Sequence, residues 1–175
     1  MKIRTQGGGR VVQKLAKDIT HFCAETLMSK RLMNTLSIKI EFCDLSVGDI
    51  DGDCDYEELG EYRPKEFIIR VNDKLRLHKQ MRTICHEMVH VKQYARGEMK
   101  YSWRPARHTR FNGVLYPEKT NYWECPWEIE AFGREVGLYS RWVDAKGWTD
   151  HPIFDNRSTP EELTQEEKDF RKIIG

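Results

Sequence analysis

The sequence predicts an α+β fold in which a small mixed or antiparallel sheet packs on helices and one long helix lies at the centre. Two periodicities carry that expectation. Several long segments place apolar residues about every 3.6 positions, as a helix with one buried face does, and two short segments alternate apolar and polar residues, as half-buried strands do. With 175 residues the chain can bury one substantial core and is short for two, so a single domain over 1–175 is expected.

After Gly7-Gly8-Gly9, residues Val11, Val12, Leu15, Ile19, Phe22, Cys23 and Leu27 form one stripe and predict a helix over 10–34. Residues 36–43 alternate cleanly and predict a strand; a second is expected at 66–71, with Phe67, Ile69 and Val71 on one face. Between them runs an acidic stretch, 49–58. Placing Gly52 at the sixth position of a calcium loop puts Val47 first, where an oxygen ligand is needed, so the stretch reads as a solvated loop, with a weak cation site as the alternative.

Asn72-Asp73 can cap a long helix that ends at Gly97, with Met81, Ile84, Cys85, Met88 and Val89 as its buried stripe. Residues 99–125 differ in kind. They hold Pro105, Pro117, an Asn112-Gly113 hairpin signal and the aromatics Tyr101, Trp103, Phe111, Tyr116, Tyr122 and Trp123. This reads as a hairpin-bearing insertion whose aromatics form local core, a ligand cage being the alternative. Pro126 suits the first position of a further helix reaching about Lys146, before Gly147. After a loop at 151–156, the capping box from Thr159 to Glu162 leads into a last helix over 160–173, carrying Leu163, Phe170 and Ile173. The functional core is expected at about 36–146.

Composition excludes several classes of function. The 29 basic and 28 acidic residues leave a net charge of +1, which argues against nucleic acid as a partner. No apolar stretch approaches the roughly 20 residues a spanning helix requires, so no membrane partner is expected. The basic residues at Lys2 and Arg4 precede no apolar run, and a secretory signal is not expected. Cys23, Cys43, Cys54, Cys85 and Cys125 are odd in number and form no C-x-x-C pair. They read as reduced thiols of a cytoplasmic protein, and any metal must be held mainly by His and carboxylate. Nothing in the sequence sets an oligomeric state.

The chemistry concentrates in His86-Glu87-Met88-Val89-His90. Four residues turn a helix by about 400°, so both imidazoles leave one face a turn apart, as two ligands of one tetrahedral zinc ion must. Glu87 then stands beside the metal, where it can take a proton from an activated water. A third ligand is needed. The candidate is Glu128, in the first turn of the helix at Pro126, where Ala131 lets two helices approach; Glu130 would point roughly 160° away. The plainer alternative makes Glu128 a first-turn acid favoured by the helix dipole. His108, in the insertion, is the alternative ligand or a stabiliser of the oxyanion. His21, His78 and His151 read as surface residues.

On these residues the sequence resembles the zincin metallopeptidases whose third ligand is Glu, among them the ImmA/IrrE-like proteins, in which H-E-x-x-H precedes a helix bearing Glu-x-x-Ala. Here that helix reads Glu128-Ile129-Glu130-Ala131-Phe132. Phe132 departs from the polar residue of the pattern, and Glu135 is the substitute partner for a ligand imidazole. A closer resemblance, over 52–56, 63–67, 86–97 and 122–139, is to small zincin-like peptidases of tailed bacteriophages, sometimes labelled SprT-like. It implies a minimal zincin fold with the H-E-x-x-H helix central, and one Zn2+ per chain on His86, His90 and Glu128. It also implies Glu87 as general base in peptide-bond hydrolysis of a protein or peptide substrate laid along an edge strand at 66–71, and a cytoplasmic site of action, in the host if phage-encoded. Tyr94, Tyr122 and His108 are the unranked candidates for oxyanion or substrate contacts. SprT and Spartan proteases carry a third His and often a zinc ribbon or DNA-binding tail; without ribbon cysteines or a basic tail, action on DNA-bound proteins is the weaker implication. An inactive zinc-bearing binding or sensor module, such as a phage factor binding a host protein, is the alternative from a different class.

Overall fold

The computed structural model describes residues 1–56, 62–102, 108–151 and Lys172. Its elements are β1 (Lys2–Gln6), α1 (Arg10–Leu27), α2 (Lys30–Met33), β2 (Ser37–Cys43), β3 (Gly52–Tyr56), β4 (Glu66–Asn72), α3 (Leu77–Arg96), β5 (Met99–Ser102), β6 (His108–Phe111), β7 (Val114–Pro117) and α4 (Pro126–Ala145). The fold is α+β, as expected. Four strands form a mixed sheet in the order β1-β2-β4-β3, with β1, β2 and β4 parallel and β3 antiparallel to β4. The insertion contributes a separate antiparallel sheet, β5-β6-β7.

Alternation does what it must on the two apolar strands. Ile38, Ile40 and Phe42 of β2 and Phe67, Ile69 and Val71 of β4 are buried on one face, which helices α1 and α3 cover. Met81, Ile84, Cys85 and Met88 of α3 are fully buried, and such side chains stabilise the fold by about 1.5–3 kcal/mol each. On the other side of α3 lies α4. Its Trp142 is fully buried and donates from Nε1 to Asp18 Oδ2 at 2.7 Å, tying α4 to α1.

Several expectations are corrected. β1 was not foreseen: Lys2, Arg4 and Gln6 are exposed, so only Ile3 and Thr5 mark its inner face. The helix expected over 10–34 breaks after Leu27, where Met28 is extended and the Ser29 side chain accepts from the Leu32 N–H to start α2. Helix α3 starts at Leu77, because Asn72 ends β4 and its Oδ1 accepts from the Lys74 N–H at 3.1 Å in a turn. Its end at Gly97 is as read. His78 is buried in the first turn of α3 and is no surface residue.

The acidic stretch holds the largest surprise. Residues 52–56 are a strand and not a solvated loop: Arg70 of β4 holds Asp53 at 2.8 Å and Asp55 at 3.2 Å, while Cys54 and Tyr56 turn inward. Lys79 holds Asp51 at 2.7 Å. Because β3 pairs with β4, the strand at 66–71 is internal and β3 is the sheet edge. Glu57 and Glu58 lie outside the described residues.

Asn112 (φ 47°) and Gly113 (φ 87°) both have positive φ and join β6 to β7, as an Asn-Gly hairpin turn requires. Phe111 and Tyr116 do form local core around Trp127, at centroid distances of 6.1 and 5.6 Å. Tyr122 and Trp123 do not, since both are exposed. Trp103 and Pro105 lie outside the described residues, as do the capping box and all of the expected 160–173 helix except Lys172. No helix among the described residues is long and apolar enough to cross a membrane.

Candidate metal centre

Helix α3 buries Met88 and Val89 in the core, which turns His86 and His90 the other way, toward the start of α4. Fully buried Ala131 lets the two helices close together. Glu128, in the first turn of α4, then meets both imidazoles. The His86 and His90 Nε2 atoms are 3.2 Å apart, Glu128 Oε2 is 3.4 Å from the first, and Oε1 is 3.6 Å from the second. A tetrahedral ion with bonds of about 2.0–2.1 Å separates its ligand atoms by about 3.3–3.4 Å. The separations are close to that spacing, though the two His contacts fall on different oxygens of Glu128, and the three buried groups, with one ligand atom from each within 4.8 Å of the others, could hold a metal ion.

The outer nitrogens of both rings are also held. His86 Nδ1 lies 3.0 Å from Glu135 Oε2, whose other oxygen accepts from Arg82, and His90 Nδ1 lies 2.8 Å from Gln93 Oε1. Both partners accept, so each ring donates its Nδ1 proton outward, and it is the Nε2 atom, once deprotonated, whose lone pair faces inward toward Glu128. Gln93 is fixed in turn, donating to Trp127 O at 3.0 Å and to Glu130 Oε2 at 3.1 Å. Glu130 faces away from the site and accepts from Lys92 and Arg134.

The electrostatics fit a cation at this point. Burial opposes charge on His86, but hydrogen bonds to Glu128 and Glu135 outweigh it and lift its pKa to about 9. His90 is raised against the same burial by Glu128, Glu87 and Gln93. Burial would raise Glu128, yet hydrogen bonds from His86, His90 and Tyr122 hold it well below the usual carboxylate range. Glu87 behaves oppositely: burial lifts it to about 7, offset in part by His90 and His86. Two carboxylates beside the same rings are thus shifted in opposite directions, Glu128 down by its hydrogen bonds and Glu87 up by burial.

A cleft opens over this cluster in two lobes, of about 500 and 310 Å³, which share Ile50, Gly52, His86, Glu87 and Tyr122. Gly52 of β3 lets the strand pass over α3, since a Cβ there would lie 2.5 Å from Thr83 Cγ2 and 2.7 Å from the Arg70 carbonyl oxygen. The smaller lobe contains Tyr94, whose ring lies 4.9 Å from that of Tyr56. Tyr122 donates its hydroxyl to Glu128 Oε2 at 2.7 Å. Burial raises the pKa of both phenols, and the Glu128 hydrogen bond raises Tyr122 further, so both remain donors.

The structure thus brings together His86, Glu87, His90, Glu128, Glu135, Tyr94 and Tyr122. It does not bring in His108, which lines a different surface cavity with Tyr62, Lys100 and Arg110 and neither lobe of the cleft, and which is outside the group that could hold a metal ion. Phe132, where a polar residue was looked for, packs edge-on against His86 with centroids 4.6 Å apart. Gln93 and Arg82 were missed. Their only signal is spacing, three residues after His90 and four before His86, the helical neighbours of each ligand.

No protein-family model, curated protein or solved structure matches the chain. What fold and site define is an α+β protein with a buried His/His/Glu cluster that could hold a metal ion at the floor of a cleft.

Proposed function

We propose that the protein is a zincin-like, zinc-dependent metallopeptidase that hydrolyses peptide bonds. The carrying observation is the convergence of His86, His90 and Glu128 within metal-ligand reach of one another, with Glu87 beside them in an open cleft. Two imidazoles and one carboxylate suit zinc better than calcium or magnesium, which favour all-oxygen sites. When bound, zinc supplies Lewis-acid polarisation of a carbonyl and lowers the pKa of water.

The chain's own residues supply the rest. Glu87, buried beside the two imidazoles and lining both lobes of the cleft, takes a proton from the attacking water and returns it to the leaving amine. Tyr94 offers its O–H to the negative charge that grows on the carbonyl oxygen, and Tyr122 would do so on releasing Glu128, to which its one O–H is donated. Since β4 is internal to the sheet, the outer edge of β3 is the edge near the site that would offer main-chain groups to an extended peptide in this reading.

The test is zinc content and peptide cleavage of wild type beside Glu87→Gln. We expect about one zinc ion per chain in both and cleavage only by wild type, with turnover down by at least about 10² in the variant. Equal cleavage by the two would sink the mechanism. Zinc retention with no cleavage of a broad proteome digest by wild type would favour a binding module.

A further inference from the structure

The larger lobe of the cleft is walled by four large side chains that stay in contact with solvent: Trp123 is 69% exposed, Tyr122 49%, Ile50 41% and Phe132 37%. Contiguous exposed apolar surface of this kind marks a place where something binds. The wall is built and held in place. Ring centroids lie 5.2 Å apart for Trp123 and Phe132 and 5.3 Å apart for Tyr122 and Trp123. The turn carrying Trp123 is capped by Asn121, whose Oδ1 accepts from the Trp123 N–H at 3.0 Å.

Charge in the lobe opposes an acidic guest. Lys79 is engaged by Asp51 at 2.7 Å and Arg82 by Glu135, so neither cation is free to answer a substrate carboxylate, and Asp49 adds another negative group to the lining. The volume of about 500 Å³ falls within the roughly 300–1,000 Å³ of small-molecule pockets. Phe132 touches both His86 and Trp123, so a side chain seated on this wall belongs to a residue next to the bond that is cut.

Resting on the peptidase reading, we infer that this lobe is a specificity subsite selecting a bulky, uncharged apolar side chain, aromatic above all, on the substrate residue beside the scissile bond, with Trp123 and Phe132 as its recognition residues. Offset and edge-to-face ring contacts add to simple burial in such a site. Replacing an aromatic side chain by a methyl group removes most of the contact.

The inference is tested without catalysis by titrating the metal-free protein with N-acetyl-phenylalanine amide, N-acetyl-alanine amide and N-acetyl-glutamate amide. The readout is the indole N–H resonance of Trp123, assigned by its loss in Trp123→Ala. The phenylalanine compound should shift it at about tenfold lower concentration than the other two. Binding of that compound, followed on the Ile50 methyl resonances, should weaken about tenfold in Trp123→Ala and in Phe132→Ala. Equal binding of all three compounds, or unchanged binding by both variants, overturns the inference.

A second arm uses the zinc-loaded enzyme and a peptide library. A preference for aromatic residues beside the cut, falling about tenfold in Trp123→Ala, supports the subsite. Cleavage with no such preference overturns it and leaves the peptidase reading standing. If nothing is cleaved, the peptidase reading fails, and the titration alone still decides whether the lobe takes an aromatic group.

Discussion

Glu135 of α4 and His86 of α3 face each other across the helix interface, with Oε2 and Nδ1 3.0 Å apart and Arg82 on the second carboxylate oxygen. This contact sets both the direction of the imidazole and its basicity. Replacing Glu135 with Ala is expected to weaken zinc binding about 10–100-fold, and Glu135→Gln, which keeps an acceptor oxygen, by less. Competition with a chromophoric chelator measures it. Wild-type affinity in Glu135→Ala would mean the contact is idle.

Stability of the metal-free protein should depend on pH in a defined way. His86, raised to about 9, contributes stability that is complete below its ordinary value of 6.5 and lost as pH rises through about 9. Glu87, raised to about 7, acts in the same direction, costing stability as pH climbs from 4.5 through 7. Glu128 and Glu135 are held low, so their contribution is present above 4.5 and lost as pH falls. The metal-free protein should be most stable near pH ~5 and lose stability toward pH 9, and saturating zinc should flatten that alkaline arm by taking the place of the protons. Melting curves of stripped and loaded protein at pH 5, 7 and 9 check this; a metal-free Tm that climbs from 5 to 9 contradicts it.

Gly52 should tolerate no side chain. A methyl group there meets Thr83 and the Arg70 carbonyl, so Gly52→Ala is expected to cost about 1–3 kcal/mol, the usual penalty of overpacking. Adding Thr83→Ser removes one of the two collisions and should recover part of the loss. Urea unfolding of the three proteins reads both effects.

Trp142→Ala should be among the most damaging substitutions outside the site, at about 3–5 kcal/mol. Trp142→Phe keeps most of the ring but forfeits the bond to Asp18 and should cost less. Because Trp142 lies near the far end of α4 from Glu128, zinc affinity of the folded Phe variant should match wild type, which separates anchoring of α4 from assembly of the site.

The His86, His90 and Glu128 cluster was legible because it rests on helical geometry: the interval from His86 to His90, and a shared face from Glu128 through Ala131 to Glu135. What lay hidden depends on pairing across the chain. Strand β3 reads as loop because Asp53 and Asp55 are satisfied by Arg70, 15 or more residues away, and β1 shows only Ile3 and Thr5 to its neighbours. Without β3, no argument could tell that β4 is internal. His108 went astray for a related reason, since a hairpin signal fixes the turn at Asn112-Gly113 but not the direction in which the hairpin leaves α3.

Among the described residues no strand pairs with the outer edge of β3, and such an edge is a hazard as well as an opportunity, for another β edge, including that of a second copy, can zip onto it. Asp53 and Asp55 alternate along it beside a single arginine. Two copies meeting edge to edge would bring their aspartates together, and like charges set side by side repel. The acidic pair that disguises this strand in the sequence would then work against such pairing of two copies, to the extent that Arg70 leaves its charge uncompensated.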